Sequence, residues 1–92
     1  MDSETDLAPR PPEPGEFPAL HELLNATFRA GGGSMANDYP RMLSERNRAN
    51  LRVCVDGGRV VSHVGTVHRD ASLEGTPVRV ALVGAVATDP EY

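Results

Sequence analysis

The sequence predicts an α+β fold in which two N-terminal helices precede a three-stranded antiparallel meander. Two observations carry this prediction. Apolar residues recur at intervals of three and four between Phe17 and Phe28, which is the period of a helix. From Leu51 onward the interval changes to two, which is typical of a strand with one buried face.

The first helix is predicted over residues 17–29. Pro18 suits a first helical turn, and the three glycines at 31–33 end the helix. One helical face carries the apolar residues Phe17, Leu20, Leu23, Leu24 and Phe28.

A second, shorter helix is predicted to begin with Asp38 as its N-cap and Pro40 in its first turn. It continues through Met42 and Leu43 toward Asn47, with a narrow apolar stripe.

The residues before the first helix offer little apolar surface. Residues 1–6 include three acidic side chains and are predicted to form a mobile tail. Leu7–Arg10 is predicted as a short edge strand, because the prolines at 9, 11 and 12 lack the N–H group that a central strand donates. The folded unit is therefore placed over residues 7–92.

Three strands make up the predicted meander. Residues 51–55 alternate between apolar and polar, and Asp56–Arg59 contains the Asp-Gly pair of a tight hairpin turn. The second strand is predicted over 60–69, a break over 70–76, and the third strand over 78–88.

The third strand is apolar or small on both faces from residue 80 to residue 87. This pattern predicts a central strand with cover on both sides. The 92 residues contain no later element to provide that cover, so we expect either further chain or another polypeptide to pair with the strand.

Composition excludes several classes of partner and site. A net charge of −4 provides no positive field for nucleic acid or an anionic membrane. The N-terminus has no basic-then-apolar signal, and the single cysteine, Cys54, suits a reducing compartment, so cytoplasm is expected. No metal site is expected, because His63 and His68 fall on opposite faces of one strand.

The segment Gly31–Ser34 does not match a phosphate-binding loop, because it follows a helix and no lysine comes after it. A flexible connector is the favoured interpretation. No serine or cysteine lies in a recognisable nucleophile motif, so the motifs alone leave the function open.

The order of the segments and their local sequences together resemble a known family. Val78–Tyr92 resembles the fourth strand of the GNAT superfamily of N-acetyltransferases and the turn after it. Asp56–Gly65 resembles that family's second hairpin, and two helices joined by a glycine-rich link also match. The resemblance spans residues 7–92 and implies a GNAT-like α+β fold. It also implies an enzyme in which an amine attacks the thioester of an acyl-CoA donor, acetyl-CoA, directly.

The resemblance also implies site residues. The pantetheine arm of the cofactor would bind the main chain of Val86, Ala87 and Thr88 like an added strand. Gly84 and Ala85 suit a bulge in the same strand. The link between the helices, residues 28–37, would form the substrate wall, with Phe28 and Met35 as contacts. A plain buried strand and core packing of Phe28 are the alternatives, and catalytic residues are not assigned.

In the family this strand leads into an Arg/Gln-x-x-Gly-x-Gly/Ala loop that binds the pyrophosphate. That loop is absent from the 92 residues, so we expect the N-terminal part of a longer acyltransferase domain, inactive alone. The alternative is a small non-catalytic α+β interaction module that pairs through its open last strand. The class of amine substrate stays open.

Overall fold

A computed structural model describes residues 7–92, and the predicted mobile tail at residues 1–6 lies outside the described residues. Helices come first and a three-stranded antiparallel sheet follows, as the sequence predicts. The helices are a 3-10 helix at Pro14–Glu16, α1 at Phe17–Phe28, α2 at Met35–Asp38 and a 3-10 helix at Glu45–Asn50. The strands are β1 at Leu51–Asp56, β2 at Arg59–Leu73 and β3 at Thr76–Thr88.

Helix α1 matches its prediction and supplies one side of the core. Phe17, Leu20, Leu23 and Leu24 are buried, as their shared helical face requires. After the helix ends, Gly32 and Gly33 adopt φ values of 118° and 111°, which are conformations that other residues rarely adopt.

The predicted second helix is wrong in position and length. Helix α2 begins at Met35 and ends at Asp38, so Asp38 is its last residue and not its N-cap. Ser34 is the cap: its side chain accepts a hydrogen bond from the Asn37 N–H at 3.2 Å. Pro40 cannot donate the N–H that would continue α2, so the chain turns there.

The segment after Pro40 still contributes to the core. Leu43 is 3% exposed and Met42 packs against the core from its margin. Asn47 donates from Nδ2 to the carbonyl groups of Met42 and Thr66, at 2.9 and 2.8 Å. These side-chain bonds hold turns in place where a longer helix was predicted.

The sheet has the order β1-β2-β3 with antiparallel pairing throughout. The first predicted hairpin turn is confirmed, since Asp56 pairs with Arg59 and the two glycines between them have φ values of 58° and 83°. Two positive φ values in a two-residue turn match the strand twist.

The predicted break at 70–76 is wrong. Strand β2 continues to Leu73, which pairs with Thr76 across a two-residue turn at Glu74 and Gly75. This turn also has two positive φ values, 49° and 83°. Both faces of the hairpin tip are exposed, so no apolar alternation signals a strand there.

Within residues 7–92, β3 lies at the edge of the sheet and β2 occupies the centre. Leu82, Val83 and Val86 are 50–65% exposed. The predicted central position with cover on both faces is therefore not seen in the described part of the chain.

The predicted edge strand Leu7–Arg10 is reduced to one bridging residue. Arg10 exchanges two main-chain hydrogen bonds with Val53 of β1, at 3.1 and 2.7 Å. The prolines that follow at 11 and 12 cannot donate to a longer ladder.

Candidate functional site

A β-bulge interrupts the pairing of β2 with β3. His63 pairs with Ala87 and Gly65 pairs with Gly84, so three steps along β3 face two steps along β2. Ala85, in the additional stretch, has a φ of 52°. The bulge predicted at Gly84 and Ala85 is present, and a left-handed alanine there costs about 1 kcal/mol or more unless its surroundings hold it.

His63 is the group that contacts this bulge. Its side chain is 1% exposed, and its Nδ1 lies 2.7 Å from the main-chain oxygen of Ala85. Burial lowers the pKa of His63 below its ordinary value. A neutral ring that donates from Nδ1 to the carbonyl fits both observations.

Two glycines allow Met42 to pack close to this contact. A Cβ atom on Gly65 would lie 3.0 Å from both the Met42 Sδ and the His63 Cε1. A Cβ atom on Gly84 would lie 3.3 Å from the Met42 Cε. The segment after α2 therefore reaches the bulge only because these positions lack side chains.

An open cleft of about 220 Å³ lies beside the bulge. It is lined by Phe28, Arg29, Met35, Tyr39, Met42, Gly84 and Ala85. The structure thus brings the two predicted substrate contacts, Phe28 and Met35, to the same cleft as the bulge. Phe28 is 41% exposed, which argues against the alternative of core packing, whereas Met35 is 4% exposed and forms part of the core.

The sequence interpretation missed Tyr39 as a cleft residue, and it placed Arg29 within the predicted wall at 28–37 without naming it as a contact. Tyr39 is 51% exposed beside the cleft. Arg29 bonds Asp38 through Nε at 2.9 Å and Nη2 at 2.7 Å. This pairing raises the pKa of Arg29 above its ordinary value. A basic residue directly after α1 and an acidic residue at the end of α2 were the available signal.

The glycine-containing link is held at both ends by polar contacts. The Asn25 side chain accepts a hydrogen bond from the Met35 N–H at 2.8 Å, and the Arg29–Asp38 pair joins the ends of α1 and α2. The cleft wall therefore has a defined shape, although the link itself contains three glycines.

The three predicted cofactor residues follow the bulge directly. Val86 is 56% exposed, Ala87 is 5% exposed, and Thr88 is exposed with its hydroxyl 3.3 Å from that of Ser62. The edge of β3 that faces away from β2 has no neighbouring strand among residues 7–92. An extended ligand with amide groups can pair with such an edge through main-chain hydrogen bonds.

A larger depression of about 820 Å³ lies between α1 and the first hairpin turn. There, an ion pair of 2.5 Å between Arg59 and Asp89 joins the hairpin to the end of β3. Its lining includes Thr88 but not the bulge, so we place the candidate site at the smaller cleft.

Other candidate groups lie apart from the cleft. Cys54 is a free, half-buried thiol in β1, and His68 is exposed in β2. Within the described range, no three metal-binding side chains lie together. None of the helices described is long and apolar enough to cross a membrane.

The fold and the site together define a class of α+β protein in which a bulged strand with a free edge adjoins a helix-walled cleft. Comparison with known families gives the particular family. The family model described as "Acetyltransferase (GNAT) domain" matches residues 8–92, so the chain belongs to the GNAT acetyltransferase family, whose members use acyl-CoA donors. No curated protein sequence matches the chain at a significant level.

Proposed function

We propose that this chain is the N-terminal part of an N-acyltransferase that transfers an acetyl group from acetyl-CoA to an amine. The observation that carries the proposal is the position of the bulge. It adjoins both the free edge of β3, where a cofactor arm can pair, and the cleft beside Phe28, where an amine can enter.

The residues of β3 fit an acyl-CoA donor. Acetyl-CoA supplies an acyl thioester on an arm that carries two amide groups. Val86, Ala87 and Thr88 would hold that arm through their main-chain groups, since the strand edge beside them is unpaired within the described residues. A main-chain N–H group at this point would donate to the thioester carbonyl and stabilise negative charge on its oxygen.

The helix side of the cleft would bind the acceptor. Phe28 and Met35 offer apolar contact to the carbon chain of an amine, and Tyr39 adds an exposed ring. The guanidinium of Arg29 is already paired with Asp38, which limits its repulsion of a cationic amine. We leave the general base and general acid unassigned.

We also propose that the full domain extends beyond residue 92, with the remaining chain or a second chain beside β3. The support is physical: an exposed strand edge with apolar residues at Leu82 and Val83 is a site for strand pairing. A reducing compartment such as the cytoplasm fits the single free thiol of Cys54.

The test uses the full-length parent protein with acetyl-CoA and a panel of amines: an aminoglycoside, a polyamine, free amino acids and a lysine peptide. Release of free CoA thiol that depends on one of these amines is the expected result. Phe28→Ala should raise KM for that amine with little change in KM for acetyl-CoA, and Phe17→Leu serves as a core control on the same helix. Absence of amine-dependent thiol release across the panel refutes the proposal.

The second candidate is a non-catalytic module that binds a partner strand, favoured by the exposure of Val83 and Val86. Amine-dependent thiol release separates the two candidates, and acetyl-CoA binding by the 92-residue chain tests where the cofactor site lies. The 92-residue chain alone should not bind acetyl-CoA, because it lacks a pyrophosphate loop. Micromolar binding by this chain would show that the cofactor site lies elsewhere than we propose.

A further inference from the structure

The contact between His63 and the bulge has a consequence for the geometry of β3. His63 lies on β2, the central strand of the sheet, and its Nδ1 is 2.7 Å from the Ala85 oxygen. The Ala85 carbonyl therefore points toward the buried ring.

Peptide planarity extends this constraint to the next residue. No peptide bond in the described chain is cis, so the carbonyl of Ala85 and the N–H of Val86 share one plane and point in opposite directions. When His63 holds the carbonyl, the Val86 N–H is directed away from His63.

The surroundings of the two ring nitrogens show which tautomer of His63 makes this contact. His63 Nε2 is buried without a hydrogen-bond partner among the described residues. The Ala85 oxygen can only accept, so Nδ1 carries the proton. A second proton on Nε2 would be a buried donor without an acceptor, which is unfavourable.

We propose that His63 is a positioning residue for acyl transfer: its Nδ1–H holds the Ala85 carbonyl and so directs the Val86 N–H toward the acyl donor. This inference rests on the proposed function. His63 does not touch substrate in this scheme, because its side chain is buried. It acts only through the peptide between Ala85 and Val86.

A purely structural role for His63 predicts a different pattern. Loss of packing would lower stability in every variant according to side-chain size. A positioning role instead depends on a donor at the place of Nδ1. Asparagine can supply one from Nδ2, whereas leucine fills similar space without a donor.

The experiment compares His63→Asn and His63→Leu in the full-length parent protein, with His68→Leu as the matched control on the same strand. We expect His63→Leu to lower kcat about 10-fold or more with KM for the amine unchanged, since removal of one such donor costs about 10²–10³ in kcat and a misdirected N–H keeps part of its effect. His63→Asn should retain kcat within about threefold by the same reasoning, and His68→Leu should match the wild type. Equal losses in the Asn and Leu variants, or full kcat in a folded Leu variant, would overturn the proposal.

A measurement on the wild type keeps the inference testable if the leucine variant does not fold. Nitrogen-15 NMR of the full-length protein should show His63 as the neutral tautomer protonated on Nδ1. The tautomer protonated on Nε2 would overturn the inference. These spectra do not depend on activity, so a protein that is inactive with every amine but shows the Nδ1–H tautomer refutes the proposed function and not the contact.

Discussion

Gly65 shows at the scale of single residues how closely the site is packed. It lies in β2 opposite the bulge, and a methyl group there would reach 3.0 Å from both the His63 ring and the Met42 sulfur. Gly65 is buried, and the two neighbours that its Cβ atom would meet are an imidazole that is already fixed and a more flexible thioether.

We predict that Gly65→Ala lowers the free energy of unfolding by about 1–3 kcal/mol, the usual cost of overpacking in a core. Urea unfolding followed by circular dichroism measures this change. Gly15→Ala is the control, because a Cβ atom there meets nothing within 4 Å. An equal effect in both variants would contradict the packing explanation.

The sequence interpretation gave His63 no role, although the structure places it against the bulge. In the sequence, its only use was to argue against a metal site, because His63 and His68 fall on opposite faces of one strand. Its contact with Ala85 spans 22 positions of sequence, and it exists because the bulge turns one carbonyl toward β2.

At the scale of elements, the segment before α1 is attached by a bidentate ion pair. Arg10 donates from Nη1 and Nη2 to the two carboxylate oxygens of Glu16, each at 2.8 Å. The Glu13 N–H adds a third hydrogen bond to Glu16 at 2.8 Å. The bond to Arg10 is the main cause that lowers the pKa of Glu16 to about 2.

This lowered pKa predicts acid sensitivity. Glu16 binds its proton more weakly in the folded chain than in the unfolded chain. Its contribution to the free energy of unfolding is therefore complete above about pH 4.5 and is lost as the pH falls toward 2. The pair lies at the surface, so we expect a contribution of about 1 kcal/mol and not the full value of the shift.

The measurement is the difference in free energy of unfolding between the wild type and Glu16→Gln at pH 6 and at pH 2.5. We expect this difference to shrink at the lower pH. Glu22→Gln, at an exposed position of α1, should give a small difference at both values. A difference for Glu16→Gln that stays constant with pH would contradict the assignment.

Element boundaries show what local sequence can predict. Helix α1 and the first hairpin follow from a three-to-four period and an Asp-Gly pair, both of which act within a few residues. Helix α2 does not, because its Met35 N–H is bonded by Asn25 of another helix. The strands of the second hairpin were predicted to be shorter than they are, because the exposed tip of the hairpin has no buried face to set an apolar pattern.

At the scale of the whole molecule, the exposed edge of β3 is the feature that most favours association with other chains. Leu82, Val83 and Val86 are at least half exposed on a strand that has one neighbour among residues 7–92. Unpaired edges of apolar strands pair with other chains.

We therefore expect the 92-residue chain to self-associate as its concentration rises. Val83→Lys should reduce this association, since a lysine on an edge strand opposes strand addition. Sedimentation velocity measures it. Leu73→Lys is the control, because Leu73 is 64% exposed at the hairpin tip. Equal reductions by both variants would point to general hydrophobicity and away from the β3 edge.

The family was accessible from the sequence because its evidence is local. The apolar strand at 78–88, the turn at Asp56–Arg59 and the glycine link can each be read from neighbouring residues, and the match over residues 8–92 confirms the assignment. The bulge at Gly84 and Ala85 was implied by the resemblance to the family, and Ala85 has the positive φ that the bulge requires.

Tertiary structure alone decided how these segments meet. It joined Phe28 and Met35 to the bulge in one cleft, added Tyr39, and set His63 against the Ala85 carbonyl. Such contacts depend on packing between residues far apart in the chain, which no local period encodes. The sequence by itself thus determined the first helix, the first hairpin turn and the family. The arrangement of the candidate site came from the packing of α1, the segment after α2 and two strands on one another.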